Sequence, residues 1–231
     1  MIAGNIPCLT TISKLENDFY LVNQKNVLTK ITDKENGLKF KLYEKEAQQT
    51  LLLTFETDST DCGLFGSECC NRYDCQKAVD FCYMYIVSKD KKAFCYICDL
   101  KKTVGNGVEV IQHLVEQWMS SIRYVKSVCA YYFVNIERIF LSVVSTMYNE
   151  DGIKRFIEEY TNAEQNINQS KVPTFIQNKA KKNIRYIPGM LPVLERFFRR
   201  EILFENQIYQ FEPYVSAGGE YSMSFVNGIL Q

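Results

Sequence analysis

Histidine is almost missing from this chain: His113 is the single one in 231 residues. A Cys–His hydrolase would depend entirely on it, and no recognisable nucleophile motif accompanies it, so that class is poorly supported. Excess charge is missing too. Lysine plus arginine number 27, and so do aspartate plus glutamate. Overall charge therefore gives no support for nucleic-acid binding, and any basic surface has to be a local patch. No apolar run reaches membrane length. The best window, Val125–Val144, is interrupted by Lys126, Asn135, Glu137 and Arg138. The opening stretch MIAGNIPCLTTISKLEND has no basic region followed by a long apolar run, which predicts no signal peptide. Internal repeats are lacking as well. Together these absences predict a cytoplasmic chain with no membrane partner.

Apolar residues and aromatic rings are plentiful. With 46% hydrophobic residues, 15 Phe and 15 Tyr, the chain can close a real core and is neither disordered nor fibrous. Its length suits one substantial domain. Nine cysteines is an odd number. Without an export signal they read as reduced thiols, since disulfide scaffolds are smaller and secreted. Cys62, Cys69, Cys70 and Cys75 fall in a stretch rich in Gly, Ser and Asp, Asp58 to Cys75, that reads as a loop. Four such thiols could bind zinc, although their spacing is irregular and no paired C-x-x-C turns occur. Cys95 and Cys98 do spell C-x-x-C, but inside a strand they point to opposite faces and read as core residues.

Three regions differ in character. In the first, Phe40 to Leu53 reads as a helix entering a strand at LLLTF, after a turn at Lys34-Glu35-Asn36-Gly37. The second is the most patterned. Val79 to Val87 (VDFCYMYIV) is aromatic and β-branched, hence a strand. A polar turn, Ser88 to Lys92, leads to a second buried strand, Ala93 to Leu100 (AFCYICDL), and the short connection makes an antiparallel hairpin. Gly105-Asn106-Gly107 breaks the chain, with Asn106 placed as an N-cap. From Val108 through Ile111, Val115, Trp118, Ile122, Val125, Cys129 and Tyr132 to Ile136, apolar residues recur at steps of three and four. That predicts one long helix of roughly 45 Å. Arg138 to Ser145 then reads as a strand. In the third region Asp151 to Glu164 looks helical and Asn162 to Ser170 reads as a polar linker. From Lys171 the charge turns basic, through Lys179, Lys181, Lys182, Arg185, Arg196, Arg199 and Arg200. That stretch could hold a phosphate backbone, with its aromatics available for stacking, or be the solvated face of an amphipathic helix.

Three ionisable residues occupy telling places in the hairpin. Asp80 opens the first strand, Asp99 lies near the end of its neighbour, and Lys101 follows two residues on. Residues two apart in a strand share a face, so Asp99 and Lys101 project together. A short hairpin pairs the start of one strand with the end of the other, which brings Asp80 beside Asp99. Two carboxylates at the end of an apolar hairpin repel each other and call for a cation. A divalent, oxygen-loving metal supplies one. The Leu100 carbonyl can add a third ligand. Lys101 could then orient or deprotonate an attacking water and stabilise charge developing on phosphorus.

The pattern VDFCYMYIV–turn–AFCYICDLKKT, followed by a helix containing VIQHLVEQWMSSIRYV, resembles the PD-(D/E)XK nuclease superfamily. More narrowly, it is similar to uncharacterised bacterial members with an aspartate-led strand, an acidic-x-Lys strand and an "A..QL..TI.Y"-like helix. The resemblance covers Val79 to Ile136. It matches Asp80 to the first acidic position, Asp99 to the second and Lys101 to the lysine. Gln117, Ser121 and Tyr124 fall where the helix signature lies, with Gln117 as an accessory to the site. Departures are that no proline precedes Asp80, and that the second acid is Asp where many relatives carry Glu. The acid usual on an N-terminal helix is unassigned among Glu44, Glu46, Glu56 and Glu68.

What the resemblance implies is an α/β fold with a restriction-endonuclease-like core, a mixed central sheet flanked by helices, over residues 1–148. A helical, partly basic C-terminal extension of the same domain would occupy 149–231. It further implies a metal-dependent nuclease, an endonuclease acting on DNA or RNA, with Mg²⁺ or Mn²⁺ held by Asp80, Asp99 and Leu100. A role in defence against foreign nucleic acid, with a protein partner or a second copy, is an analogy drawn from the fold. The alternative is a catalytically silent member of the superfamily serving as a binding or assembly module. His113, one turn before Gln117, could assist proton transfer or be merely structural.

Overall fold

A computed structural model describes residues 20–21, 27–33, 38–44, 50–54, 79–87, 90–131, 133–169, 187–216, 218–226 and 229–230. The elements are β1 (Tyr20–Leu21), β2 (Val27–Asp33), β3 (Leu38–Glu44), β4 (Thr50–Thr54), β5 (Phe81–Val87) and β6 (Lys92–Val104). After them come α1 (Val108–Tyr131), β7 (Asn135–Tyr148), α2 (Glu150–Gln169) and α3 (Met190–Phe198). The last are β8 (Glu201–Phe204), β9 (Gln207–Val215), β10 (Glu220–Val226) and β11 (Ile229–Leu230).

The fold is α/β. A mixed seven-stranded sheet runs β1-β4-β5-β6-β7-β9-β8, and a four-stranded sheet runs β11-β10-β3-β2. β4, β5 and β6 form an antiparallel meander, while β7 returns parallel to β6 and β9 parallel to β7. A parallel return needs a crossover, and α1 is that crossover between β6 and β7. Residues after 149 complete both sheets: β9 joins β7, and β10 pairs parallel with β3.

Alternation along β5 and β6 gives the central sheet two buried faces. Cys82, Met84, Ala93, Cys95 and Ile97 meet a core built with Ile111, Leu114, Trp118, Ile122 and Val125 of α1. Phe156 and Tyr160 of α2 and Leu194 and Phe197 of α3 belong to the same core. Phe81, Tyr83, Tyr85, Tyr96, Cys98 and Leu100 face the other way, onto Leu38 and Phe40 of β3 and Met223 and Phe225 of β10. The expected sheet flanked by helices is therefore helix-covered on one face and covered by a second sheet on the other. No helix among the described residues is long and apolar enough to cross a membrane.

Four local expectations are corrected. Phe40–Leu53 is not a helix running into a strand. β3 and β4 occupy its ends, because each finds a ladder partner, β2 and β10 for β3 and β5 for β4. The long helix stops at Tyr131, not Ile136. Phe133 takes a left-handed φ of 55°, the Val134 amide donates to the Cys129 carbonyl at 2.8 Å, and the Asn135 amide donates to the Lys91 carbonyl at 2.7 Å. The chain is thus drawn into the sheet, and β7 begins at Asn135. α2 continues through the expected linker as far as Gln169. Asn106 does not cap α1; its Oδ1 accepts instead from Asn149 Nδ2 at 3.0 Å. Asn149 in turn caps α2, its Oδ1 accepting from the Gly152 amide at 2.9 Å. Here Gly105 (φ 88°) and Gly152 are required. A Cβ on Gly105 would collide with the Asn149 carbonyl, and one on Gly152 with the Gly105 carbonyl. This close approach locks the loop leaving β6 against the start of α2.

Candidate functional site

The β5–β6 ladder pairs Phe81 with Cys98 and continues to Val87 with Lys92. One step beyond its end, Asp80 stands opposite Asp99, and the Leu100 amide donates to Asp80 Oδ2 at 2.6 Å. This charge-assisted hydrogen bond holds the Asp80 carboxylate against the edge of β6. By alternation Asp80, Asp99 and Lys101 all project to the helical face. Asp99 is fully buried and the Lys101 side chain is 17% exposed, its Nζ against Asp99 Oδ2 as an ion pair. Lys101 is thus the one of the two that also reaches solvent.

α1 supplies the opposing wall. Gln117 and Ser121, one turn apart, are buried on it, and Ser121 Oγ accepts from the Val79 amide at 3.2 Å. That bond pins the helix beside the residue preceding Asp80. His113, one turn earlier, is exposed. From the other flank, β7 pairs Ser145 with Lys101. Ser145 is fully buried on the helical side, and its Oγ has no hydrogen-bond partner among the described residues.

Sequence reasoning missed Ser145. A serine inside RIFLSVVSTMY carries no distinguishing signal until the β6–β7 register places it beside Lys101. Ser142, three residues earlier on the same strand, turns to the opposite face and hydrogen-bonds the Cys98 thiol, which burial pushes well above its ordinary pKa.

Electrostatics single out Asp99. Complete burial raises its pKa well above the ordinary carboxylate range, and the neighbouring Asp80 carboxylate raises it further, while Lys101 acts in the opposite direction. Among the described residues Asp99 Oδ1 meets no N–H donor, and the close neighbours of the carboxylate are Lys101 and Asp80. A buried carboxylate oxygen left unengaged is costly, and such sites are normally satisfied by a water or an ion. The donors that could take a divalent cation are the Asp80 and Asp99 carboxylates and the Leu100 carbonyl. That carbonyl leaves the strand on the same edge as the amide that meets Asp80. Two carboxylates with oxygen donors suit Mg²⁺, which keeps several waters and uses few protein ligands. Among the described residues no group of three or more His, Cys, Asp or Glu converges on one point.

Other candidates are dispersed. Glu44 ends β3, in the sheet covering the face opposite Asp99, and Glu46, Glu56 and Glu68 lie outside the described residues. So do Cys62, Cys69, Cys70 and Cys75, and the basic positions Lys171, Lys179, Lys181, Lys182 and Arg185. Cys95 and Cys98 are buried in opposite cores, as alternation requires. Arg199 and Arg200 are committed to surface pairs, Arg199 with Glu201 at 3.8 Å and Arg200 with Glu150 at 3.2 Å. No protein-family model, no curated protein and no solved structure matches this chain.

Proposed function

We propose that the chain is a metal-dependent nuclease of the PD-(D/E)XK type, hydrolysing phosphodiester bonds of DNA or RNA at Asp80, Asp99 and Lys101. One observation carries this reading: the Asp80 and Asp99 carboxylates lie within hydrogen-bond reach of each other, and the deeper one is fully buried with Lys101 as the one cation paired to it among the described residues. Supporting it is the order of elements, an antiparallel hairpin, a crossover helix carrying Gln117, and a parallel strand. On this reading the fold is a restriction-endonuclease-like core.

Asp80, Asp99 and the Leu100 carbonyl would hold Mg²⁺ or Mn²⁺, which when bound polarises a phosphoryl oxygen and acidifies water. The chain's own residues do the rest. Asp80, half-buried and fixed by the Leu100 amide, presents its carboxylate at the accessible side of the site. Lys101 holds the attacking water in line and offsets negative charge growing on the phosphate. Gln117, on the facing helix, is an accessory that orients the same water. The α1 wall excludes bulk water from behind Asp99, which strengthens each of these contacts.

The test is hydrolysis of single- and double-stranded DNA and RNA with Mg²⁺ or Mn²⁺, comparing wild type with Asp99→Ala and Lys101→Ala, each checked for folding by circular dichroism. The expected result is metal-dependent cutting that falls by about 10²- to 10³-fold or more in both variants. No cutting of any substrate, together with no thermal shift on adding metal, would sink the reading. A catalytically silent binding or assembly module would then be the better account.

A further inference from the structure

The central sheet is split along part of its length. The β7–β9 ladder covers only Leu141–Ser145 against Phe211–Val215. Before it, Asn135–Phe140 of β7 pairs on one side with β6, and Gln207–Gln210 of β9 pairs on one side with β8. Among the described residues the other edges of these two segments pair with no strand, and both line a cavity of about 680 Å³. β7 is a central strand in the sheet order, yet Asn135, Glu137 and Arg138 are exposed and Ile136, Ile139 and Phe140 only half-buried.

An unpaired strand edge is a template for another strand, and here two edges line one slot. At about 3.3 Å per residue the walls run roughly 20 Å and 13 Å, room for an extended segment of about four to six residues. Ile136, Ile139 and Ile208 give the slot apolar side walls. Most charges around it are already answered: Lys126 by Glu205 at 2.9 Å, Glu137 by Lys92 at 3.0 Å and Glu212 by Arg200 at 3.7 Å. Arg138 has no carboxylate within ion-pair reach among the described residues. Its guanidinium lies 4.6 Å from the Phe140 ring, itself stacked on Tyr96 at 4.5 Å and 5°. The stack holds an unanswered cation at the mouth of the slot.

We propose that this slot binds an extended peptide strand of a partner protein, inserted between β7 and β9, with an acidic side chain placed to reach Arg138. Backbone pairing on both edges supplies the affinity, and Arg138 with the isoleucine walls selects the side chains.

Three blocked synthetic octapeptides serve as probes. The first alternates valine with threonine around a central glutamate; the second has lysine there; the third is the glutamate peptide N-methylated at alternate amides. The glutamate peptide is expected to bind and to slow amide hydrogen exchange across Asn135–Phe140 and Gln207–Gln210. Its lysine counterpart should bind about tenfold more weakly, an attraction having been replaced by a repulsion. The methylated peptide should protect nothing. Arg138→Glu, at an exposed position, should keep its circular dichroism and reverse the order of the two charged peptides. Failure of every peptide to protect these amides overturns the proposal, as does equal protection by the methylated one. Slow exchange of the same amides before any probe is added would show that the chain fills its own slot. Protection by oligothymidylate in place of the peptides would assign the slot to a nucleic-acid strand.

Discussion

Along β5 and β6 the central sheet buries both of its faces, by different means. Toward the second sheet β5 and β6 present rings: Tyr83 lies 4.6 Å from Phe225, Phe81 4.6 Å from Phe40, and Tyr96 4.6 Å from Phe225. Apart from the tyrosine hydroxyls, Ser142 is the buried polar side chain on that side among the described residues, and it bonds the Cys98 thiol. Toward the helices the same two strands put a fully buried aspartate, its lysine and a second aspartate among Val79, Ile111 and Trp118. Closing a core on β5 and β6 therefore does not require charge. The aromatic face does without it, and burying charge on the helical face costs free energy that packing alone would not spend. That cost falls on Asp99, with Asp80 and Lys101 half-buried beside it, and it is the feature on which the proposed site rests.

Truncating one large ring on each face tests whether the faces are equally well packed. Trp118→Ala on the helical face and Phe40→Ala on the aromatic face should each lower the unfolding free energy by about 3–5 kcal/mol in urea titrations. Trp118 lies 4.8 Å from Phe211, and Phe40 is fully buried. A loss below about 1 kcal/mol at Trp118 alone would mean a loosely packed helical face, and the contrast would break.

A smaller effect, sensitive to pH, isolates the charge. The Asp99 pKa is raised in the folded protein and ordinary in the unfolded chain. Between those values the unfolded chain releases a proton that the folded one keeps, so stability falls as pH rises above about 4. Asp99→Asn should remove this slope. In thermal melts from pH 5 to pH 8 the variant should gain on the wild type at the alkaline end, and Mg²⁺ should narrow the gap by stabilising only the wild type. A variant that loses stability equally at all pH values would assign Asp99 a purely structural role.

The smallest effect concerns the wall opposite the site. Ser121→Ala removes the acceptor of the Val79 amide and should cost about 1 kcal/mol. It should also lower the proposed nuclease activity by loosening the helix beside Asp80. Unchanged activity with the expected loss of stability would confine Ser121 to the scaffold.

The hairpin was legible because its information is local. Aromatic and β-branched density marked both strands, and a short turn left few registers, so Asp80 fell opposite Asp99 and Lys101 beside it on the same face. Two features misled. KLYEKEAQ holds good helix formers, yet β3 is a strand because β10, 181 residues away in the Lys39–Glu220 pair, offers a parallel partner. The apolar stripe of α1 ran on to Tyr132 and Ile136, and nothing in its spacing showed that Lys91 would capture Asn135.

The residues of Val79 to Lys101 by themselves determined the hairpin, its register and the face shared by the two aspartates and the lysine. Closing a short loop costs little entropy, so pattern and turn suffice. Only the tertiary structure decided how deep Asp99 lies, that Ser145 stands beside Lys101, and that β7 and β9 part to leave a slot. Those outcomes rest on parallel pairings between distant segments and on which layer covers each face. Both are set by the packing of the whole chain, since burial of any one side chain depends on what the remainder places over it.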